Sequence, residues 1–144
     1  MKLNVTLFKG EIRKFLRQEN GTCIPKMVHL LTPDFDSLSN EYAALWIRNV
    51  SEDYSTKSMI MSSEGAIPSL VALLSANDPD IAFNALGALD KIMADYQPRQ
   101  QIREVKGHEP LFTLIKSEYP QIQELAFSCM FKITQDGIVE AFLN

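Results

Sequence analysis

A unit that recurs about every 42 residues constrains this chain more than any other feature of its sequence. Gly21-Thr22-Cys23-Ile24-Pro25 precedes Met27, Val28, Leu30 and Leu31. Gly65-Ala66-Ile67-Pro68 precedes Leu70, Val71, Leu73 and Leu74, and Gly107-His108-Glu109-Pro110 precedes Leu111, Phe112, Leu114 and Ile115. The prolines stand 43 and then 42 residues apart. Each glycine is expected to end one helix, because glycine accepts a left-handed backbone at little cost. Each proline opens the next, where its missing N–H loses nothing. The apolar pairs that follow are spaced for one face of a short helix.

A longer helix is predicted after each short one. Asp78-Pro79-Asp80 opens the middle one, Tyr119-Pro120 the third, and Ser37 or Ser39 the first. Small residues mark close helix approaches: Ala43 and Ala44, Ala82 and Ala85, Ala126 and Ser128. The long helices end alike, in Ile47-Arg48-Asn49-Val50, Leu89-Asp90-Lys91-Ile92 and Met130-Phe131-Lys132-Ile133. A further short helix precedes each glycine, with Leu16, Ile60 and Ile102 five positions ahead of it. No alternating valine-rich run suggests a sheet.

These motifs resemble the armadillo repeat, whose pattern is G-x-I-P-x-L-V-x-L-L followed by a long helix ending near A-L-x-N-L. Residues Glu64 to Leu74 match almost throughout, and Ala85-Leu86-Gly87-Ala88-Leu89 continues the match. The third unit diverges most, with Glu109 in place of the isoleucine. The resemblance implies an all-α, right-handed α-solenoid, with a HEAT-like solenoid as the alternative. Residues 1–144 then form one domain, with units at about 8–53, 54–95 and 96–136 and a partial fourth unit at 137–144. Both ends look cut, so apolar repeat faces would be exposed there and self-association through the array ends is expected.

Other classes find little support. The formal charge of −4 gives neither the basic face of a nucleic-acid binder nor a polybasic membrane anchor. No run of 18 uncharged apolar residues is present to cross a membrane. Cys23 and Cys129 lie far apart without metal-ligand spacing, and read as reduced thiols of a cytoplasmic protein; cytoskeletal or nuclear location is the alternative. His29 reads as a partly buried helix residue and His108 as a solvated turn residue. No metalloprotease, phosphate-loop or nucleophile-elbow motif accompanies them. Asp78 and Asp80 suit a helix N-terminus, and the loop with Asp34 and Asp36 lacks the ligands of a calcium site. Neither a catalytic residue, a metal nor a cofactor is therefore expected.

The resemblance implies that the long helices line a concave groove for a protein or peptide. Taking the family's asparagine position as reference gives Asn49, Lys91 and Lys132. Helical spacing then puts Tyr42, Leu45, Asn49 and Asp53 on one face, followed by Asn84, Gly87, Lys91 and Asp95, and by Leu125, Ser128, Lys132 and Gln135. The opposite face is apolar. In the importin-alpha branch a tryptophan stands four residues before the asparagine; here Leu45, Gly87 and Ser128 stand there, so nuclear-signal binding is not expected. The candidate contact residues are Tyr42, Leu45, Asn49, Asn84, Lys91, Ser128 and Lys132, and the two lysines favour an acidic ligand. The alternative is a structural segment of a larger cytoskeletal or ciliary assembly, or of a longer array.

Overall fold

A computed structural model describes residues 22–143, and side chains as far as residue 136. Every regular element among these residues is a helix. In chain order they are α1 (Ile24–His29), α2 (Ser37–Val50), α3 (Tyr54–Ser62), α4 (Ala66–Leu73), α5 (Pro79–Ile92), α6 (Tyr96–Glu104), α7 (His108–Leu114) and α8 (Pro120–Leu143). Two shorter helices and a long one thus recur, α3-α4-α5 and then α6-α7-α8. The expected opening helix of the first unit, around Leu16, lies outside the described residues.

Aspartates start several of these helices. Asp36 Oδ1 accepts from the Ser39 N–H at 2.7 Å, Asp53 Oδ2 from that of Thr56 at 3.0 Å, and Asp78 Oδ1 from that of Asp80 at 2.9 Å. Each satisfies one N–H that a helix start leaves without a partner. The first long helix is therefore capped by Asp36, not by Ser37 or Ser39. A carboxylate accepts the bond more strongly than a hydroxyl, and both hydrogen bonds from Ser39 hold the Asp36 carboxyl below its ordinary range.

The three long helices lie side by side, α2 on α5 and α5 on α8. Their small residues permit that approach: Ala43, Ala44, Ala85, Ala88 and Ala126 are all buried. Ile47, Val50, Leu86, Leu89 and Ile92 fill the space between them and the shorter helices. Ile60 and Ile102, the markers of the short first helices, are fully buried as the spacing predicts.

The turn into the third unit differs from the reading of the glycines. Gly65 is left-handed, at φ +79°, but Gly107 has φ −61°. The left-handed residue there is Lys106, at φ 58°. Gly107 is required for closeness instead, since a Cβ would run into Ile102 Cγ2 and lie 3.0 Å from the Ile102 carbonyl oxygen. A second difference concerns the end. Residues 137–143, expected to open a fourth unit, continue α8 without a break. No proline follows Gly137, and a lone glycine in a helix costs only about 1 kcal/mol. His29 is exposed rather than partly buried, its ring edge-on to Phe35 at 5.1 Å.

Candidate interaction surface

The amphipathic reading of the long helices separates their two sides correctly. The apolar set of α2 and α5 is buried. The polar set divides further, because each long helix has a neighbour on either flank.

Lys91 leans from α5 over the last turn of α2. Its Nζ donates to the Arg48 carbonyl oxygen at 3.1 Å and pairs with Glu52 Oε1 at 2.7 Å. Lys132 repeats the arrangement one unit later, donating to the Asp90 carbonyl oxygen at 3.0 Å and to Asp90 Oδ1 at 2.8 Å. Both carbonyls lie in the last turn of a helix, where oxygens lack intrahelical donors and the dipole favours a cation. The lysines thus fasten each long helix to the one before. Both are already neutralised by an acid of the neighbouring unit, so they do not form the free positive pair inferred from the sequence.

The remaining polar positions of α5 and α8 meet the same flank. Asn84 is buried, and its Oδ1 accepts from Arg48 Nη1 at 3.4 Å. Over Gly87 lies the Arg48 side chain, so close that an added Cβ would come 2.7 Å from Arg48 Cδ. Ser128 Oγ donates to Asp90 Oδ1 at 2.8 Å. Asp53 and Asp95 stand at helix starts, and Asp95 also pairs with Lys57 at 2.9 Å. The first unit keeps its set most open: Tyr42 is 61% exposed, and Leu45 and Asn49 are half-buried. Asn49 makes no side-chain hydrogen bond among the described residues.

Two residues that matter here, Arg48 and Asp90, were not singled out from the sequence. Arg48 lies over the Phe83 ring, 4.4 Å from its centroid, while burial pulls its guanidinium below the ordinary range against the opposing pull of Asp90 and Glu52. Asp90 gathers Ser128 and Lys132. A signal was available: Arg48 and Asp90 both stand one residue before the reference position.

At the far end of this face Arg99 ties three helices together. It donates to the Met93 and Ala94 carbonyls at 2.8 and 3.1 Å and holds Asp136 in a two-point pair. Arg103 Nη1 adds a contact to Asp136 at 3.2 Å. Lys57 and Asp95 form the corresponding pair one unit earlier.

The opposite side carries a cleft of about 580 Å³ between α1, α3 and α4, lined by Val28, His29, Ser58, Met59, Ser62 and Glu64 among others. No group of three metal-binding side chains occurs among the described residues. Cys129 is buried beside Asp90, and desolvation followed by that carboxylate pushes its thiol well above the ordinary range. It stays protonated, which makes it a poor nucleophile. Among the described residues no helix is long and apolar enough to cross a membrane.

Comparison with known proteins agrees with this architecture. A family model described as Armadillo/beta-catenin-like repeat matches residues 57–92, the middle unit. U-box domain-containing protein 12 of Arabidopsis thaliana is 34% identical over 88 residues, covering 56% of this chain and 14% of that protein. Armadillo repeat-containing protein 3 of Homo sapiens is 30% identical over 86 residues, 60% of this chain and 10% of that protein. The chain thus spans a small part of either relative. Among solved structures, an engineered protein superposes with a TM-score of 0.68 at 26% identity, over 76% of this chain and 44% of that one. A designed armadillo repeat protein does so with a TM-score of 0.67 at 21% identity, over 76% and 46% respectively.

Proposed function

Given a chain built of armadillo repeats, we propose that it is a non-catalytic scaffold that holds a protein segment along its long-helix face. The observation that carries this reading is the open first rung beside a fastened frame. Tyr42, Leu45 and Asn49 keep free surface, while Asn84, Lys91, Ser128 and Lys132 are held between neighbouring helices. In this reading Tyr42 anchors a ligand and the Asn49 amide both donates to and accepts from its backbone. The held residues keep the frame rigid, which lowers the ordering cost of binding. Because both lysines are paired, an aromatic contact and backbone hydrogen bonds select the ligand, and its acidity does not.

The test is a peptide selected from a random display library, followed by photo-cross-linking from position 49 or from position 62 in the opposite cleft. Cross-links at 49, with binding reduced at least tenfold by Asn49→Ala together with Tyr42→Ala, are expected. Cross-links at 62 alone would move the site to the cleft. A structural segment of a larger assembly is the second reading, favoured by the exposed phenylalanines of the third unit.

A further inference from the structure

Among the described residues, the two open flanks of the long-helix row differ in kind from the two junctions inside it. Each internal junction sets one residue of the leading helix against two or three of the following one. At the first, Arg48 meets Asn84, Gly87 and Lys91. At the second, Asp90 meets Ser128 and Lys132, with Leu125 in the register of Asn84. The residue of α8 that continues the series after Arg48 and Asp90 is Phe131, and it is 66% exposed. The residues of α2 in the register of Asn84, Gly87 and Lys91 are Tyr42, Leu45 and Asn49.

The same shift explains two other exposed rings. Phe112 and Phe127 take the registers of Val71 and Leu86, 41 residues earlier. Val71 Cγ2 lies 3.5 Å from where a Cβ of Gly107 would stand, and the Leu86 carbonyl accepts from Cys129 Sγ at 3.9 Å, so both residues lie beside the following unit, and both are buried. Their third-unit counterparts are 56% and 55% exposed. One flank therefore presents Phe112, Phe127 and Phe131, and the other presents Tyr42 and Leu45 with Leu38 beside them, also exposed. At both internal junctions this rung carries charge. At both open flanks it is uncharged, Phe131 on one and Tyr42 and Leu45 with the Asn49 amide on the other.

We propose that these flanks are the two halves of one interface, and that a second copy of the chain continues the row head to tail. The Phe131 flank of one copy then lies on the Tyr42 flank of the next, in the register by which α8 lies on α5. Its occupant follows from continuity with the two existing junctions and from the match of apolar surface on both sides. A head-to-tail contact uses different surfaces on the two partners, so it leaves a free flank at each end and grows beyond a dimer. A second copy and the ligand of the reading above would compete for Tyr42, and the peptide-binding reading can fail without affecting this one.

Sedimentation velocity of the full chain over a dilution series tests it, with three samples beside the wild type. Phe131→Glu spoils one flank and Tyr42→Glu the other; both positions are exposed, so helicity and melting should be retained. The wild type should rise past twice the monomer mass with concentration. Each variant alone should stay monomeric, and their equimolar mixture should form one heterodimer and nothing larger. A wild type that stays monomeric, a mixture that does, or a Tyr42→Glu variant that dimerises by itself would each overturn the proposal. Should either glutamate variant lose helicity, Phe131→Ser and Tyr42→Ser are expected to give the same pattern.

Discussion

Reversing Lys132 to glutamate distinguishes a lysine that fastens helices from one that waits for a ligand. Its Nζ meets Asp90 at the carbonyl oxygen, 3.0 Å, and at Oδ1, 2.8 Å, with side chains 31% and 21% exposed. A fully exposed pair would contribute about 0–1 kcal/mol. A charge-assisted hydrogen bond in drier surroundings reaches about 1.5–3 kcal/mol. At this partial exposure, Lys132→Met, which keeps the stem and removes the bonds, should cost about 1–2 kcal/mol. Glutamate adds repulsion from Asp90. Two like charges about 6 Å apart at an effective dielectric of about 20 repel by roughly 3 kcal/mol, and swinging into water relieves most of that. Lys132→Glu should therefore cost about 2–3 kcal/mol in all. With a urea slope of about 1–2 kcal/mol per molar, the midpoint followed by circular dichroism should fall by more than about 1 M. Lys26→Glu, on the exposed side of α1, should move it by under about 0.5 kcal/mol. The methionine substitution should cost much less when Asp90 is already alanine. If Lys132→Glu costs no more than Lys26→Glu, the ammonium is not committed to Asp90, and the acidic-ligand reading of the lysines returns.

Three further outcomes are expected. Leu89→Ala, at a fully buried position, should cost about 2–5 kcal/mol in the same urea assay, and the exposed Asp80→Ala under about 0.5; equal small effects would mean that the register of α5 is wrong. Gly65→Ala should lower the melting temperature through backbone strain alone, about 1–2 kcal/mol, because nothing lies within 4 Å of the added Cβ, whereas Lys106→Gly should raise it; a fall in both would refute the assignment of the left-handed positions. Asp136 is held below the ordinary carboxylate range chiefly by its hydrogen bond from Arg99, with Arg103 helping. A carboxyl depressed on folding contributes stability that is complete above its unfolded pKa, about 3.9, and disappears as pH falls through the folded value. Asp136→Asn should thus be less stable at pH 7 and lose less on acidification, and parallel stability curves from neutral to acid pH would contradict the pairing.

How far the sequence discloses this fold depends on which forces set each feature. The glycines and the apolar residues disagree about the third unit, and the structure sides with the apolar residues. Gly65 to Gly107 is 42 residues, whereas Leu70 to Leu111, Leu74 to Ile115 and Ile92 to Ile133 are each 41. Burying one large side chain is worth about 1.5–3 kcal/mol, and several such residues outweigh the penalty of about 1–2 kcal/mol for a left-handed lysine. The core therefore kept its register, the turn lost one residue, and Lys106 took the strained position. The helix caps follow from local chemistry and were mostly legible, with Asp36 taking a place that its serine neighbours also suited.

The polar face was less legible because helical periodicity states the direction of a side chain around its own helix but not what occupies that direction. Tyr42 and Asn84 share a register, yet one is 61% exposed and the other 8%, since α5 has the long helix α2 on that flank and, among the described residues, α2 has none there. The same logic separates Phe127 from Leu86. In a stacked array, a position becomes surface or junction according to whether another unit follows, so the period must be applied twice: once to find the face, and once to ask which residue of the adjoining unit meets it. Applied the second time, it puts the carbonyls of Arg48 and Asp90 beneath Lys91 and Lys132, and it leaves Phe131 facing the place where the next helix of the row would lie.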